Sequence, residues 1–156
     1  MPTSKKRHTN INKDKGYEEF LKQLSLVDLG LLSSSSKFDP AAYAKMRSNK
    51  AETPRISVTV EYHLEEVDKA FFESIAKFKL TIQGQKTNTR PVVIECAFLG
   101  HFHCKPPVTR ELAGRFTNFE FRVIVWPYFR HFVQDMTARM SIPPVVIPLS
   151  VEASSL

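Results

Sequence analysis

VIVWPYFRHFVQDMTARMSIPPVVIP occupies residues 123–148. Up to Met140 its apolar side chains recur every three or four residues, the period of a helix. Pro127 interrupts that run, because proline has no N–H to donate and its ring clashes with the preceding turn. Two readings follow. A kink near Pro127 lets one long helix change direction between two covers. Alternatively the helix begins near Trp126, with Pro127 in its first turn, where no hydrogen bond is lost. The apolar positions also exceed one stripe. Phe119, Val123, Trp126, Val133 and Met140 make one, and Phe121, Val125, Tyr128, Phe132 and Met136 make a second. His131, Gln134, Asp135 and Ala138 leave only a narrow polar side. A helix lying on a sheet needs a single stripe, so a second cover is expected, most simply another copy of the chain. SIPPVVIP (141–148) follows as an extended, proline-stiffened segment.

Upstream the period shortens to two. In PRISVTVEYHLEE (54–66), Ile56, Val58, Val60, Tyr62 and Leu64 alternate with Ser57, Thr59, Glu61, His63 and Glu65, as in a half-buried strand. FFESIAKFKLTIQ (71–83) repeats the pattern, with Phe72, Ala76, Phe78, Leu80 and Ile82 inward and Glu73, Lys77, Lys79 and Thr81 outward. GQKTNTRP (84–91) is a turn region punctuated by Gly84 and Asn88. VVIECAFLGHFH (92–103) puts Val92, Ile94, Cys96, Phe98 and Phe102 on one side. Long strands on short connections imply an antiparallel sheet.

The flanks are shorter. YEEFLKQLSLVDLGLL (17–32) opens like a helical turn; from Leu24 the pairs Leu24/Leu26 and Leu29/Leu31 fit a strand whose phase slips once, as at a bulge. SSSS (33–36) reads as a flexible exit. KFDPAAYAKMR (37–47) reads as a short helix, with Asp39 as N-cap and Pro40 at its first position. In CKPPVTRELAGRF (104–116), Thr109 caps a short helix that Gly114 ends.

The chain of 156 residues has the length of one domain, and its 12 Phe, 4 Tyr and 1 Trp fill a core with aromatics to spare for a binding surface. Its formal charge of +6 owes much to Lys5, Lys6, Arg7, Lys13 and Lys15, opposed there only by Asp14. Residues 1–16 are therefore expected to be a disordered basic tail, 17–151 a single domain, and 152–156 a short tail. A solvated tail accounts for SKKRH and KDK better than a nucleic-acid module does, since the rest lacks a basic stripe with interleaved aromatics. Two cysteines make no disulfide framework and fit a cytoplasmic setting. No apolar run is long enough for a membrane-inserted span, and the first residues lack a secretory apolar core. No hydrolase, P-loop or dinucleotide signature and no carboxylate pair appears, so no catalytic residue, cofactor or enzyme activity is expected. His101 and His103 of HFHC share a strand face, but with only His63 as a conjectural third ligand they read as solvated histidines and no metal is expected.

WPYFRHFVQDMTARMSIPPVVIPLSV (126–151) resembles the C-terminal signature of the SecB family of protein-export chaperones: Trp126, Pro127, Tyr128, Arg130, Thr137 and the run from Pro143 to Pro148 match its elements. PRISVTVEYHLEE, FKLTI and VIECAFLGHF occupy the order and spacing of three of the family's strands, and LKQLSL lies where its first strand falls, so the resemblance covers about residues 20–151. It implies an α+β fold, a four-stranded antiparallel sheet carrying a long C-terminal helix, assembled as a homo-oligomeric dimer of dimers. It also implies a non-enzymatic holdase that binds unfolded polypeptides or preproteins in apolar grooves. Such chaperones deliver clients to the translocase motor SecA, and some relatives instead guard the antitoxin of a toxin–antitoxin pair.

Large rigid aromatics suit a groove that reads little sequence. The candidates for unfolded-polypeptide binding are Phe38, Tyr43, Phe98, Phe102, Trp126, Tyr128, Phe129 and Phe132, each of which also suits core or subunit interface, Trp126 and Phe132 above all. For SecA docking the resemblance points to Val93 and Glu95, whereas Gln23 and Val27 stand where the family pattern has acids. The sequence ends in VEASSL, so the family's acidic metal-binding tail is not expected and its last helix is expected to be missing or short.

Overall fold

The computed structural model describes residues 15–105 and 107–147. Helix α1 (15–23) leads directly into strand β1 (Leu24–Phe38), followed by helix α2 (Pro40–Ser48) and strands β2 (Pro54–Val67), β3 (Phe71–Gly84) and β4 (Val92–Cys104). Helices α3 (Arg110–Asn118) and α4 (Glu120–Arg139) then cover the sheet. Lys15 and Gly16, expected in the tail, are helical, while the rest of that expectation and residues 152–156 lie outside the described residues.

The four strands form one antiparallel sheet, as the period-two segments predict, and its order is β1-β4-β3-β2. Asn88 takes the left-handed conformation at φ 52° in the β3–β4 turn. Gly84 enters that turn where a Cβ would press on the Glu52 carboxylate and the Thr87 hydroxyl, so any larger residue there displaces both. Because β1 and β2 lie at opposite edges, the α2 connection crosses the end of the sheet beside this turn. Asp39 caps α2 as expected, accepting from the Ala42 N–H at 2.9 Å.

β1 departs from expectation in two ways. The slip falls between Leu26 and Asp28, as the leucine phases imply, but a second follows between Leu31 and Ser33. The serine run is not a loose exit: Ser33, Ser34, Ser35 and Ser36 pair with Ala97, Cys96, Glu95 and Ile94. Serine has no strong strand preference, and here backbone bonding to β4 decides the conformation.

The helices correct two further readings. Thr109 caps α3, accepting from the Leu112 N–H at 3.3 Å, but the helix continues through Gly114 to Asn118. Thr117 holds that last turn inward, where its hydroxyl and the Ser74 hydroxyl lie 2.7 Å apart, both buried. α4 begins at Glu120, so Pro127 stands well inside it and the reading of a start near Trp126 fails. The carbonyl that loses its partner belongs to Val123, on the exposed side of the helix, where water is available to it.

The buried stripe of α4 steps by four, through Phe121, Val125, Phe129, Val133 and Thr137, with Trp126 beside it. It thus draws from both stripes read in the sequence. Phe129 is the anchor: its ring stacks on Phe78 at 4.2 Å between centroids and 9° between planes. Phe119, Val123 and Tyr128 remain exposed at 62%, 75% and 49%. After α4, Ser141 turns left-handed at φ 56° and the Ile142 N–H donates back to the Thr137 carbonyl at 3.0 Å. That reversal sends residues 142–147 along the sheet's end with Ile142, Val145 and Ile147 buried.

Phe129→Ala is expected to destabilise the chain by about 3–5 kcal/mol through the cavity it opens. Gln134→Ala, on the polar side of the same helix, is expected to stay within about 0.5 kcal/mol. Urea denaturation monitored by circular dichroism checks both, and equal effects would contradict the burial of one side.

Candidate functional site

The end of the sheet crossed by α2 holds an apolar groove of about 520 Å³. Its walls follow from three local features. The Asp39 cap aims α2 so that Tyr43 and Met46 face the sheet; the start of β2 supplies Ile56; the reversal at Ser141 lays Val145 and Val146 opposite. Ile56 and Val146 are 45% and 84% exposed, so the groove offers apolar surface to water. Prolines 143 and 144 stiffen one wall, so that wall loses little conformational freedom when a chain settles against it. Arg47 and Glu52 are its charged members. Glu52 is buried, with Oε1 accepting from the Lys86 N–H at 2.9 Å.

The candidate aromatics divide into separate groups. Phe38 and Tyr43 meet edge to face at 5.9 Å, both half-buried, and Tyr43 lines the groove. Phe98 lies 6.4 Å from Tyr128 and 6.4 Å from Phe132, forming an aromatic trio between β4 and α4. Beside it the first bulge keeps Leu29 and Leu31 of β1 on the inner face with Leu26; Leu26 and Leu31 are about half exposed. Trp126 and Phe129 pack with Phe78 in the core, and Phe102 packs with Phe72, Phe116 and Phe121 at the far end of the sheet. Phe98, Phe102, Trp126 and Phe129 are buried within the single chain, leaving Phe38, Tyr43, Tyr128 and Phe132 with accessible surface. Sequence reasoning missed Met46, Ile56 and the valines of the proline-rich segment; the signal was an apolar run too stiff to fold onto the core completely.

On the outer face of the sheet Val93 and Glu95 stand two residues apart on β4, both partly exposed. Glu95 is engaged: Lys79 Nζ lies 2.8 Å from Oε1, and the Ser35 hydroxyl donates to Oε2 at 3.3 Å. The hydrogen bond from Lys79, then its charge, holds the Glu95 carboxyl below its usual range. Gln23 is exposed at the end of α1 and Val27 is exposed in the first bulge. The HFHC motif splits between faces: His101 Nδ1 lies 2.9 Å from Glu73 Oε1 on the outer face, whereas Cys104 is buried inside. Among the described residues no group of three His, Cys, Asp or Glu is arranged to hold a metal ion. Burial pushes the Cys96 thiol up to about 12 and raises that of Cys104, so neither is a reactive thiolate. No described helix is long and apolar enough to cross a membrane.

Among solved structures, the fold is similar to the SecB-like chaperone of Mycobacterium tuberculosis in complex with a ChAD peptide from the HigA1 antitoxin. The TM-score is 0.65 at 18% identity, covering 82% of this chain and 91% of that one. A protein of unknown function from Streptococcus agalactiae matches at a TM-score of 0.47 and 11% identity, over 80% of this chain and 96% of that one. No curated protein sequence matched the chain. The family model described as preprotein translocase subunit SecB matches residues 35–151, well over half of the sequence, and the chain belongs to the SecB family.

Proposed function

We propose that this SecB-family protein is a non-enzymatic holdase that binds unfolded or peptide clients through apolar surface. The observation that carries the reading is the open groove bounded by Tyr43, Ile56 and Val146, with accessible hydrocarbon and few polar groups to read a sequence. Each square ångström of apolar client surface buried there contributes about 25 cal/mol before ordering costs. Phe38 adjoins the groove through Tyr43, and Tyr128 and Phe132, with Phe98 behind them, form a second patch for long clients; Trp126 and Phe129 back that patch through Phe78, whereas Phe102 belongs to the far end of the sheet and to neither surface. The exposed leucines of β1 and the outer side of α4 fit a cover by further copies, a dimer of dimers. The two buried free thiols fit a reducing cytoplasm.

A second reading is favoured by a specific observation. Delivery to SecA through Val93 and Glu95 needs a free acidic face, and Lys79 already neutralises Glu95. The fold likeness to a chaperone holding an antitoxin peptide supports a dedicated client of that kind for this chain.

Mixed with a heat-unfolded model protein, the native chain is expected to suppress light scattering at severalfold excess. Val146→Asp with Ile56→Asp is expected to weaken client binding at least about tenfold, because a carboxylate must then be desolvated in the groove. Suppression unchanged by both charges would place the client surface elsewhere.

The docking reading has its own test. The depressed Glu95 carboxyl means that the Lys79 pair is present above the ordinary carboxylate range and is lost as pH falls through the lowered value. Lys79→Ala is expected to return the Glu95 titration, followed by carbon NMR, toward its usual value and to strengthen SecA binding, while Glu95→Lys weakens it. Identical SecA affinity in both variants would remove this face from the proposal.

A further inference from the structure

At the end of the sheet opposite the groove, α1 turns one side inward. Tyr17 and Phe20 are each 4% exposed, Leu21 and Leu24 are half-buried, and Glu18, Glu19, Lys22 and Gln23 face water. Phe20 lies 6.0 Å from Phe72 and 6.5 Å from Phe116 between ring centroids. Those two rings meet at 5.5 Å, and Phe102 stacks beneath Phe72 at 5.1 Å. The floor under α1 is thus an aromatic trough made by β3, β4 and α3. Its rim is polar: the Arg115 guanidinium lies 3.9 Å from the centre of the Tyr17 ring, and the Tyr17 hydroxyl donates to Glu120. Cys104 lies below the helix, its thiol directed at the Phe20 carbonyl at 3.8 Å.

Three features make α1 separable from what it covers. It is too short to persist as a helix on its own. Its gain from burying two aromatics is opposed by the entropy of ordering the whole segment, a term of comparable size. Its outer side, Glu18, Glu19, Lys22 and Gln23, is exposed, so no described element packs over it to hold it down. A chain presenting an aromatic pair at i and i+3 with an apolar neighbour at i+4, the pattern of Tyr17, Phe20 and Leu21, meets the same rings and the same rim.

We propose that α1 is a displaceable lid, and that the Phe72–Phe116 trough beneath it is a second polypeptide-binding surface for amphipathic client segments carrying an aromatic pair. The inference rests on the chaperone reading. It gives that reading a reach: groove and trough lie at opposite ends of one sheet, so a client long enough to engage both gains by effective concentration.

The test uses the unsubstituted chain and reduced, carboxymethylated α-lactalbumin as the unfolded client. Thiol labelling is followed separately at Cys104 and Cys96 by mass spectrometry. Client binding is expected to speed amide hydrogen exchange over residues 17–23 severalfold, because a displaced α1 loses its helical bonds, while Cys104 stays shielded by the client that replaces α1 and Cys96 keeps its labelling rate. Tyr17→Ala with Phe20→Ala is expected to tighten client binding at least about threefold, by removing the population in which the trough is closed. Should that variant label rapidly at Cys96, and so be misfolded, Tyr17→Phe takes its place; it removes only the Glu120 hydrogen bond and is expected to speed Cys104 labelling without client. Client bound with α1 exchange unchanged overturns the lid and leaves the holdase standing. No client bound by any form overturns both.

Discussion

The contact on which the rest depends is the stack of Phe129 on Phe78. It fixes which side of α4 meets the sheet, because a four-residue step from Phe129 carries Phe121, Val125 and Val133 inward with it. The same rotation turns Phe119, Val123 and Tyr128 out. It also decides what Pro127 costs. With the proline on the outward side, the orphaned Val123 carbonyl can accept from water and the crowding by the ring falls away from the core, so the core side of the helix keeps its packing. One face of one helix therefore determines both the stability of the single chain and the apolar surface left over for others.

The strands of the sheet, the α2 cap and the turn at Asn88 were legible because each rests on a local rule: alternation, a capping side chain, a tolerated left-handed residue. The slip in β1 was legible for the same reason, since leucines must face the core on both sides of it. What escaped was set by partners distant in the chain. Ser33–Ser36 pair because β4 offers its edge, whatever serine prefers alone. Gly114 does not end α3 because the buried contact of Thr117 with Ser74 holds the helix for another turn. On α4, two stripes of similar hydrophobicity cannot be ranked by period alone; the ring opposite Phe129 ranks them.

The candidate site was legible in kind rather than in place. Of the aromatics expected at a binding surface, Tyr43 lies on the groove while Phe98, Phe102, Trp126 and Phe129 are buried, because size and aromaticity do not distinguish a buried ring from an exposed one. The groove's other members are aliphatic, and they become a surface only because the chain reverses at Ser141 and two prolines keep the returning segment straight. No residue pattern announces such a wall; it arises where a stiff segment passes an unfinished end of a sheet.

A protein that handles sticky chains must avoid becoming a seed for them, and the interrupted edge of β1 bears on this. A straight, unbroken edge would accept extended strands one after another and propagate stacks. Two irregularities within a single strand break its donor–acceptor rhythm, so an arriving strand finds only short matching stretches before its ladder falls out of step. The edge can accommodate a companion shaped to the same interruptions while discouraging indefinite growth from a generic one.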